Sequence, residues 1–493
     1  MTTSPARRDR GVRLLWAGIT ILLPGLLVSV ASMSTVDLAY GIRAGGQILD
    51  GAGIPRIDTF TFTAAGLPWI DQQWLAQAIF AAVHRFGGWP ALSTLWAVII
   101  VAIEALLWRA ARSMGAGVRS TGVALLIGFV VAAQGSTLRS QVLGLLCLAG
   151  LLALVADRKD HRGRLWLAVP LVAAWANLHG SFPVGLALLG LATAKDVAGR
   201  HHARQAVATW VLAAVGTLAN PFGLDAWRYV ATIGTDPTIA RFVLEWRHTR
   251  VLDPAGAAFY ASVVATVVIV LVRTRQGDRP PWAMLAWLAG LAFLGAWAVR
   301  AVAWWGVGAA PIAAALLARI RTRPRKVQPV GSAAGDRPGV ARSPILIVAG
   351  FVLLLVAVQP QWRPSREGQG LGSRLDDAPA GITRALSGVL VQHPAARVFN
   401  AQRWGSWLEL AVPGARLFAD SRIELIPAAA WIDYLQVSAG DARWREILDA
   451  WQVDVVVVSA TDQTALATLV GGNTAWQSVY RDSDGLVAVR TAP

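Results

Sequence analysis

The sequence predicts a polytopic α-helical membrane protein that carries a C-terminal α/β domain outside the membrane. Three observations support this. Of the 493 residues, 55% are hydrophobic and 15% charged, and the mean hydropathy is +0.49; soluble domains carry about 25% charged residues. Apolar runs of about 15 to 20 residues recur along the chain, the scale needed to approach a ~30 Å hydrocarbon core. Basic residues also concentrate in alternate connectors. Segments 1–13, 109–119, 157–164, 195–204, 273–280 and 319–343 hold 24 of the 45 Lys and Arg but 6 of the 29 Asp and Glu. The net charge of +16 is therefore a positive-inside topology signal, and nucleic acid is excluded as a main partner.

The first span, 14–33, follows Arg7, Arg8, Arg10 and Arg13. Its apolar stretch is too long for a signal-peptide core and shows no small-residue cleavage site. It reads as a retained transmembrane helix with a cytoplasmic N-terminus. Further spans at 90–109, 120–134, 140–156, 165–178, 181–194, 205–219, 256–272, 282–297, 301–318 and 344–358 make about eleven. An odd number puts residues 360–493 outside as the α/β domain and leaves 1–359 as the membrane domain. Within the first outer loop, 34–89, the stretch Trp74–Phe86 is about 20 Å long as a helix, too short to cross, and reads as interfacial or re-entrant. Asn177 to Gly180 forms the tight link of a helical hairpin. Residues 320–343, rich in Pro, Gly, Arg and Ser, read as a cytoplasmic linker.

After residue 360 strands are expected at Arg397–Asn400, 416–420, 453–459 and within 476–490. Helical stretches at 427–438, 441–451 and 464–470 alternate with them. The run of four valines at 455–458 reads as a central strand covered on both faces.

Ionisable groups are costly in lipid unless they serve a site, so their distribution is informative. Asp37, Arg43, Asp50, Arg56, Asp58, Asp71, Gln72 and Gln73 fall in the first outer loop. Arg139, Gln141, Asn177, His179, Asn220, Asp225, Glu245, Arg247 and Arg300 fall at span ends or turns on the same face. Together they imply a wet cavity able to read a phosphate through Arg, and hydroxyls through Asp, Asn and Gln. Motifs of other chemistries are missing: no GxxxxGK[ST] phosphate loop, no HExxH zinc helix, no GxSxG elbow. The lone Cys147 excludes a disulfide framework.

Asp37 just after the first span, the loop stretch Gly51 to Asp58 and a short amphipathic helix before the second span resemble the GT-C superfamily. These are membrane glycosyltransferases that take a sugar from a polyprenyl-phosphate carrier. The resemblance extends to the many spans and the extracytoplasmic C-terminal domain. It implies Asp37 as catalytic acid/base of the first loop and Asp58 as the second acidic position, although the Asp-x-Asp or Glu-x-Asp pair is absent. The WWDYG acceptor signature is also unmatched; Trp404 to Leu408 stands in a comparable place without its Asp.

The function expected is transfer of sugar to a glycan, lipid or protein acceptor outside a bacterial plasma membrane. Asp37 is the base, and Arg139 or Arg300 holds the lipid phosphate. Asp71, Asn177, His179, Glu245 and Arg247 complete the substrate-binding set. Carboxylates at Asp37 and Asp58 suit a divalent ion, Mg²⁺ or Mn²⁺, bridging them to phosphate. The alternatives are a lipid-linked saccharide flippase or a non-catalytic subunit of an envelope assembly. Plainer roles compete residue by residue. Asp37 and Asp71 could cap helices, Asp58 could sit in a turn, and Asn177 and His179 could bind a hairpin together. Arg139 and Arg300 could snorkel, and Glu245 and Arg247 could lie on a solvated face. Glu104 is expected to reach the inner interface or pair with an Arg, and Asp420, Arg422 and Glu424 to form a surface salt bridge or a ligand site.

Overall fold

The computed structural model describes residues 5–234, 244–320 and 374–491, with 350, 353 and 357. Apart from Ile320 and those last three, the expected linker and the expected span at 344–358 lie outside the described residues. The first helices are α1 (Pro5–Val30), α2 (Leu38–Leu49), α3 (Trp74–Ser113), α4 (Val118–Ala132) and α5 (Ser140–Asp157). They are followed by α6 (Ala168–Leu178), α7 (Phe182–Ala198), α8 (Ala203–Gly216) and α9 (Leu224–Ile233). Then come α10 (Pro254–Arg275), α11 (Trp282–Trp297) and α12 (Val302–Ala318).

Among the described residues six helices are long and apolar enough to cross a bilayer: α1, α3, α4 with its following turn, α5, α10, and α12 with its preceding turn. The expected count of about eleven spans is not confirmed among the described residues. Helices α6, α7, α8 and α11 hold 11, 17, 14 and 16 residues. At 1.5 Å per residue α6 covers only about 16 Å, half of a hydrocarbon core. Part of the apolar run before it is spent on a 3₁₀ turn, Arg162–Leu167.

Helix α3 explains the ambiguous stretch at Trp74–Phe86. Gly87 (φ −155°, ψ 21°) and Gly88 (φ 62°, ψ −154°) break it into a short arm and a membrane-length helix. Gly88 takes a positive φ that an L side chain rarely adopts. The short arm packs on α2, where Gly45 lets two backbones touch: a Cβ there would stand 2.1 Å from the Gln77 carbonyl oxygen. Gly128 of α4 and Gly306 of α12 make a reciprocal close crossing, each lacking the Cβ that would meet the other's carbonyl oxygen at 2.6 Å. Against expectation, Glu104 does not reach an interface. It is buried among Ile100, Leu107, Phe129 and Val307.

The C-terminal region holds a five-stranded sheet in the order β4 (Arg416–Leu417), β3 (Arg397–Asn400), β5 (Val455–Ser459), β7 (Gly485–Arg490), β6 (Trp476–Arg481). The first three are parallel, and β7 runs antiparallel to both its neighbours. Every residue of β5 is buried, as its valines require. Helices α13 (Ala380–Gln392), α14 (Gln402–Ala411), α15 (Ala428–Ser438), α16 (Trp444–Ala450) and α17 (Thr464–Gly471) accompany the sheet. Phe399, Phe418, Trp431, Tyr434 and Trp444 form an aromatic core on one face.

Three features join this region to the first loop. Strand β1 (Met33–Ser34) pairs in parallel with β2 (Leu375–Asp376). Thr61 and Phe62 extend the sheet beside β4, with the Phe62 N–H donating to the Leu417 oxygen at 3.0 Å. Arg422 clasps Asp58 at 2.8 Å.

Candidate active site

Asp37 is the residue before α2, yet its side chain makes no capping hydrogen bond. The carboxylate instead accepts from Arg139 Nη1 at 3.2 Å, and the same nitrogen reaches both Glu245 oxygens at 2.9 Å. Arg139 stands directly before α5, so the start of a membrane helix fixes it in place. The Arg139 side chain is 12% exposed, whereas Asp37 and Glu245 retain 34% and 42%. A buried cation thus sits beneath two acids that stay open to water. The acids differ in sequence by more than 200 positions, and Glu245 is brought in because the Val299 N–H donates to the Arg247 oxygen at 3.1 Å. Arg300 follows, its guanidinium 5.1 Å from the Trp246 ring centre. Burial would raise the Glu245 carboxyl, but Arg139 and Arg300 outweigh it and hold it below its ordinary value.

His179 faces the same guanidiniums. Desolvation, then Arg300 and Arg139, keep its imidazole well below its ordinary value and hence neutral. The Ser181 N–H donates to His179 Nδ1 at 3.1 Å, which leaves the proton on Nε2. Two further groups, Tyr40 and Ser140, not foreseen from the sequence, follow Asp37 and Arg139 in the chain. Ser140 Oγ donates to Gln73 Oε1, and Gln73 Nε2 donates to the Tyr40 hydroxyl. Their position carried a faint signal: Tyr40 lies three residues after Asp37 on one helix face, and Ser140 directly follows Arg139.

Three predicted site residues are used elsewhere. Asp58 does not meet Asp37. It is 1% exposed, its oxygens accept from the Phe60 and Thr61 N–H groups at 3.1 Å, and it pairs with Arg422. This is a turn locked by a buried ion pair. Asn177 is consumed by the hairpin: it accepts from Trp74 Nε1 at 2.8 Å and donates to the Ala173 and Ala219 oxygens at 2.9 Å. Asp71 is buried against Gln77, which donates to it at 2.7 Å. Arg247 lies beside the site through its backbone.

The expected cation site fails on the same geometry. Asp37 and Asp58 each face a guanidinium and not one another, and among the described residues no three His, Cys, Asp or Glu gather as metal ligands. The pair does not fit a bridging Mg²⁺ or Mn²⁺.

No family model and no curated protein matches the sequence. Solved structures do. The arabinofuranosyltransferase AftD from Mycobacteria aligns over 100% of this chain with a TM-score of 0.54 and 16% identity. The oligosaccharyltransferase AglB from Archaeoglobus fulgidus, in complex with an inhibitory peptide and a dolichol-phosphate, aligns over 96% with a TM-score of 0.58 and 12% identity. The fold is that of the GT-C glycosyltransferases. The chain spans 42% of the length of AftD and 74% of that of AglB. The apo form of the Archaeoglobus enzyme gives the same coverage, with a TM-score of 0.52.

Asp71 yields a stability prediction. Burial pushes its carboxyl up to about 7, with Arg422 and Gln77 opposing. The folded state therefore binds a proton that the unfolded chain releases near its ordinary carboxylate value. Stability from this group is present at low pH and falls as pH rises towards 7. Asp71→Asn is expected to raise the thermal midpoint at pH 8 relative to wild type and leave it nearly unchanged at pH 4, an effect of up to about 4 kcal/mol. Unfolding curves at the two pH values check it.

Proposed function

We propose that the chain is a membrane glycosyltransferase. It moves a sugar from a polyprenyl-phosphate carrier to a hydroxyl-bearing acceptor on the outer side of a bacterial plasma membrane. The observation that carries this reading is the buried Arg139 beneath the open carboxylates of Asp37 and Glu245, beside Arg300 and a neutral His179, in a GT-C fold. Its orientation follows from the arginine-rich connectors at the opposite ends of the helices.

In the proposed reaction an acceptor oxygen attacks the anomeric carbon from the side opposite the phosphate. The new C–O bond forms as the C–O bond to phosphate breaks, and the phosphate leaves with the electron pair. Asp37 takes the acceptor proton, and Arg139 and Arg300 offset the charge that grows on the departing phosphate. His179 Nε2–H is a neutral donor to the same oxygens. AglB, whose structure holds a dolichol-phosphate, supports a lipid phosphate as the carrier.

The test is incubation of the purified protein in liposomes with a panel of polyprenyl-phosphate sugars and extracted acceptors, reading released polyprenyl phosphate. Turnover of one donor is expected; no turnover of any, with stable saccharide flipping instead, would turn the reading to a transporter. Arg139→Lys keeps the charge but loses the planar fork. It is expected to raise the donor KM about tenfold and change kcat less, which initial-rate kinetics would show.

A further inference from the structure

A second concentration of charge lies at the far ends of the helices that carry the candidate active site. Helix α5 starts beside Arg139 and runs 18 residues, so its ends are about 27 Å apart. At the far end, the connectors after α5 and α7 enclose a cavity of about 210 Å³. Arg158, Lys159, Arg162, His201, His202 and Asp196 line it. Arg158 is already committed: Nε and Nη2 donate to the two Asp196 oxygens at 2.8 and 2.9 Å. That pair neutralises the one acid of the lining. Among the described residues neither Lys159 nor Arg162 is paired with a carboxylate. Arg162 Nη1 instead lies 3.4 Å from His202 Nδ1. The turn that supplies the histidines is strained, with Arg200 and His202 both left-handed at φ 53° and 49°.

The surface next to the cavity is of a different kind. Helix α8 contributes Gln205 and Ala206 to the lining and then exposes Val207, Trp210, Val211, Leu212 and Val215 along its length. A cationic recess is thus continuous with an exposed apolar helix face.

We propose that this cavity seats the phosphate of an anionic phospholipid, whose acyl chains lie along α8. In the proposed orientation the lipid belongs to the cytoplasmic leaflet. Arg162 offers a guanidinium fork and Lys159 a point charge to the phosphate oxygens. A choline headgroup would bring its own cation against both, so zwitterionic lipid is disfavoured. Recognition here is independent of sugar transfer and of Asp37.

The experiment titrates the purified full chain in detergent with dioctanoyl phosphatidylglycerol and follows the thermal midpoint. A saturable rise is expected, with none from dioctanoyl phosphatidylcholine. Lys159→Gln with Arg162→Gln is expected to weaken the apparent affinity about 30-fold, near fivefold per charge. Lys159→Gln alone, on an exposed position, reads the fivefold step if the double variant folds poorly. Lys159→Arg keeps wild-type affinity. An equal response of wild type and the Gln variants would overturn the site. So would equal stabilisation by the choline lipid, and an equal response to inorganic phosphate would assign the cavity to a soluble anion and overturn the lipid.

Discussion

Asp37→Asn is expected to slow sugar transfer about 10²- to 10⁴-fold, the range that a positioned general base contributes. The substitution is nearly isosteric, and Arg139 keeps its bond to Glu245 when the Asp37 charge is removed. The Asp37–Arg139 pair is partly solvated, where an ion pair contributes ~1 kcal/mol or less. The fold should therefore survive, with a thermal midpoint within a few degrees of wild type. The two readouts together are decisive. A folded Asn variant with undiminished turnover of the same polyprenyl-phosphate sugar would remove Asp37 from the role of base, and donor binding should be retained because both arginines remain.

The second large effect is on stability. Arg422 is 2% exposed and lies among Asp58, Asp420 and Glu409, with its guanidinium 4.5 Å from the Trp69 ring centre and 4.6 Å from that of Phe60. Burial and the neighbouring Asp420 push Glu409 well above its ordinary value. At Asp420 burial pulls upward but Arg422 outweighs it. Arg422, with Arg43 nearby, thus balances the carboxylates of Asp58 and Asp420 away from water. Arg422→Met fills the space but strands those charges, and losing one partner of a buried network costs about 3–5 kcal/mol. Thermal unfolding should show a midpoint drop larger than that of Asp37→Asn. Asp58→Asn should behave as a milder version of the same defect, lowering stability while per-molecule kcat stays within a few-fold. A kcat loss as deep as that of Asp37→Asn would return Asp58 to the chemistry.

The contrast between the two aspartates shows what the sequence could carry. That Asp37, Asp58, Asp71, Arg139, Asn177, His179, Glu245, Arg247 and Arg300 share one expected face is legible because connector charge marks the opposite one. Depth and partner choice within that face were not legible. Asp58 and Arg422 are separated by most of the chain, and nothing local marks their pairing except the aromatics Phe60 and Trp69 that shield it. Asp420 and Arg422, expected at a surface, are buried because the first loop closes over the sheet edge at Thr61 and Phe62. The boundary between the stretch ending at Phe86 and the span from residue 90 coincides with the break at Gly87 and Gly88. Span count is less legible, because apolar composition alone does not fix how much of a run is helix, as in the 11-residue α6.

The parallel ribbon of β1 and β2 has a consequence for dissection of the molecule. Met33 donates to the Arg374 oxygen at 2.9 Å, Thr35 donates to the Asp376 oxygen through its hydroxyl at 3.0 Å, and Ser421 Oγ donates to the Val36 oxygen at 2.7 Å. The backbone leading into Asp37 is therefore shaped by residues from the far end of the chain. The two halves are a single mechanical unit at this point, and a truncated bundle would leave Asp37 on backbone without its strand partner.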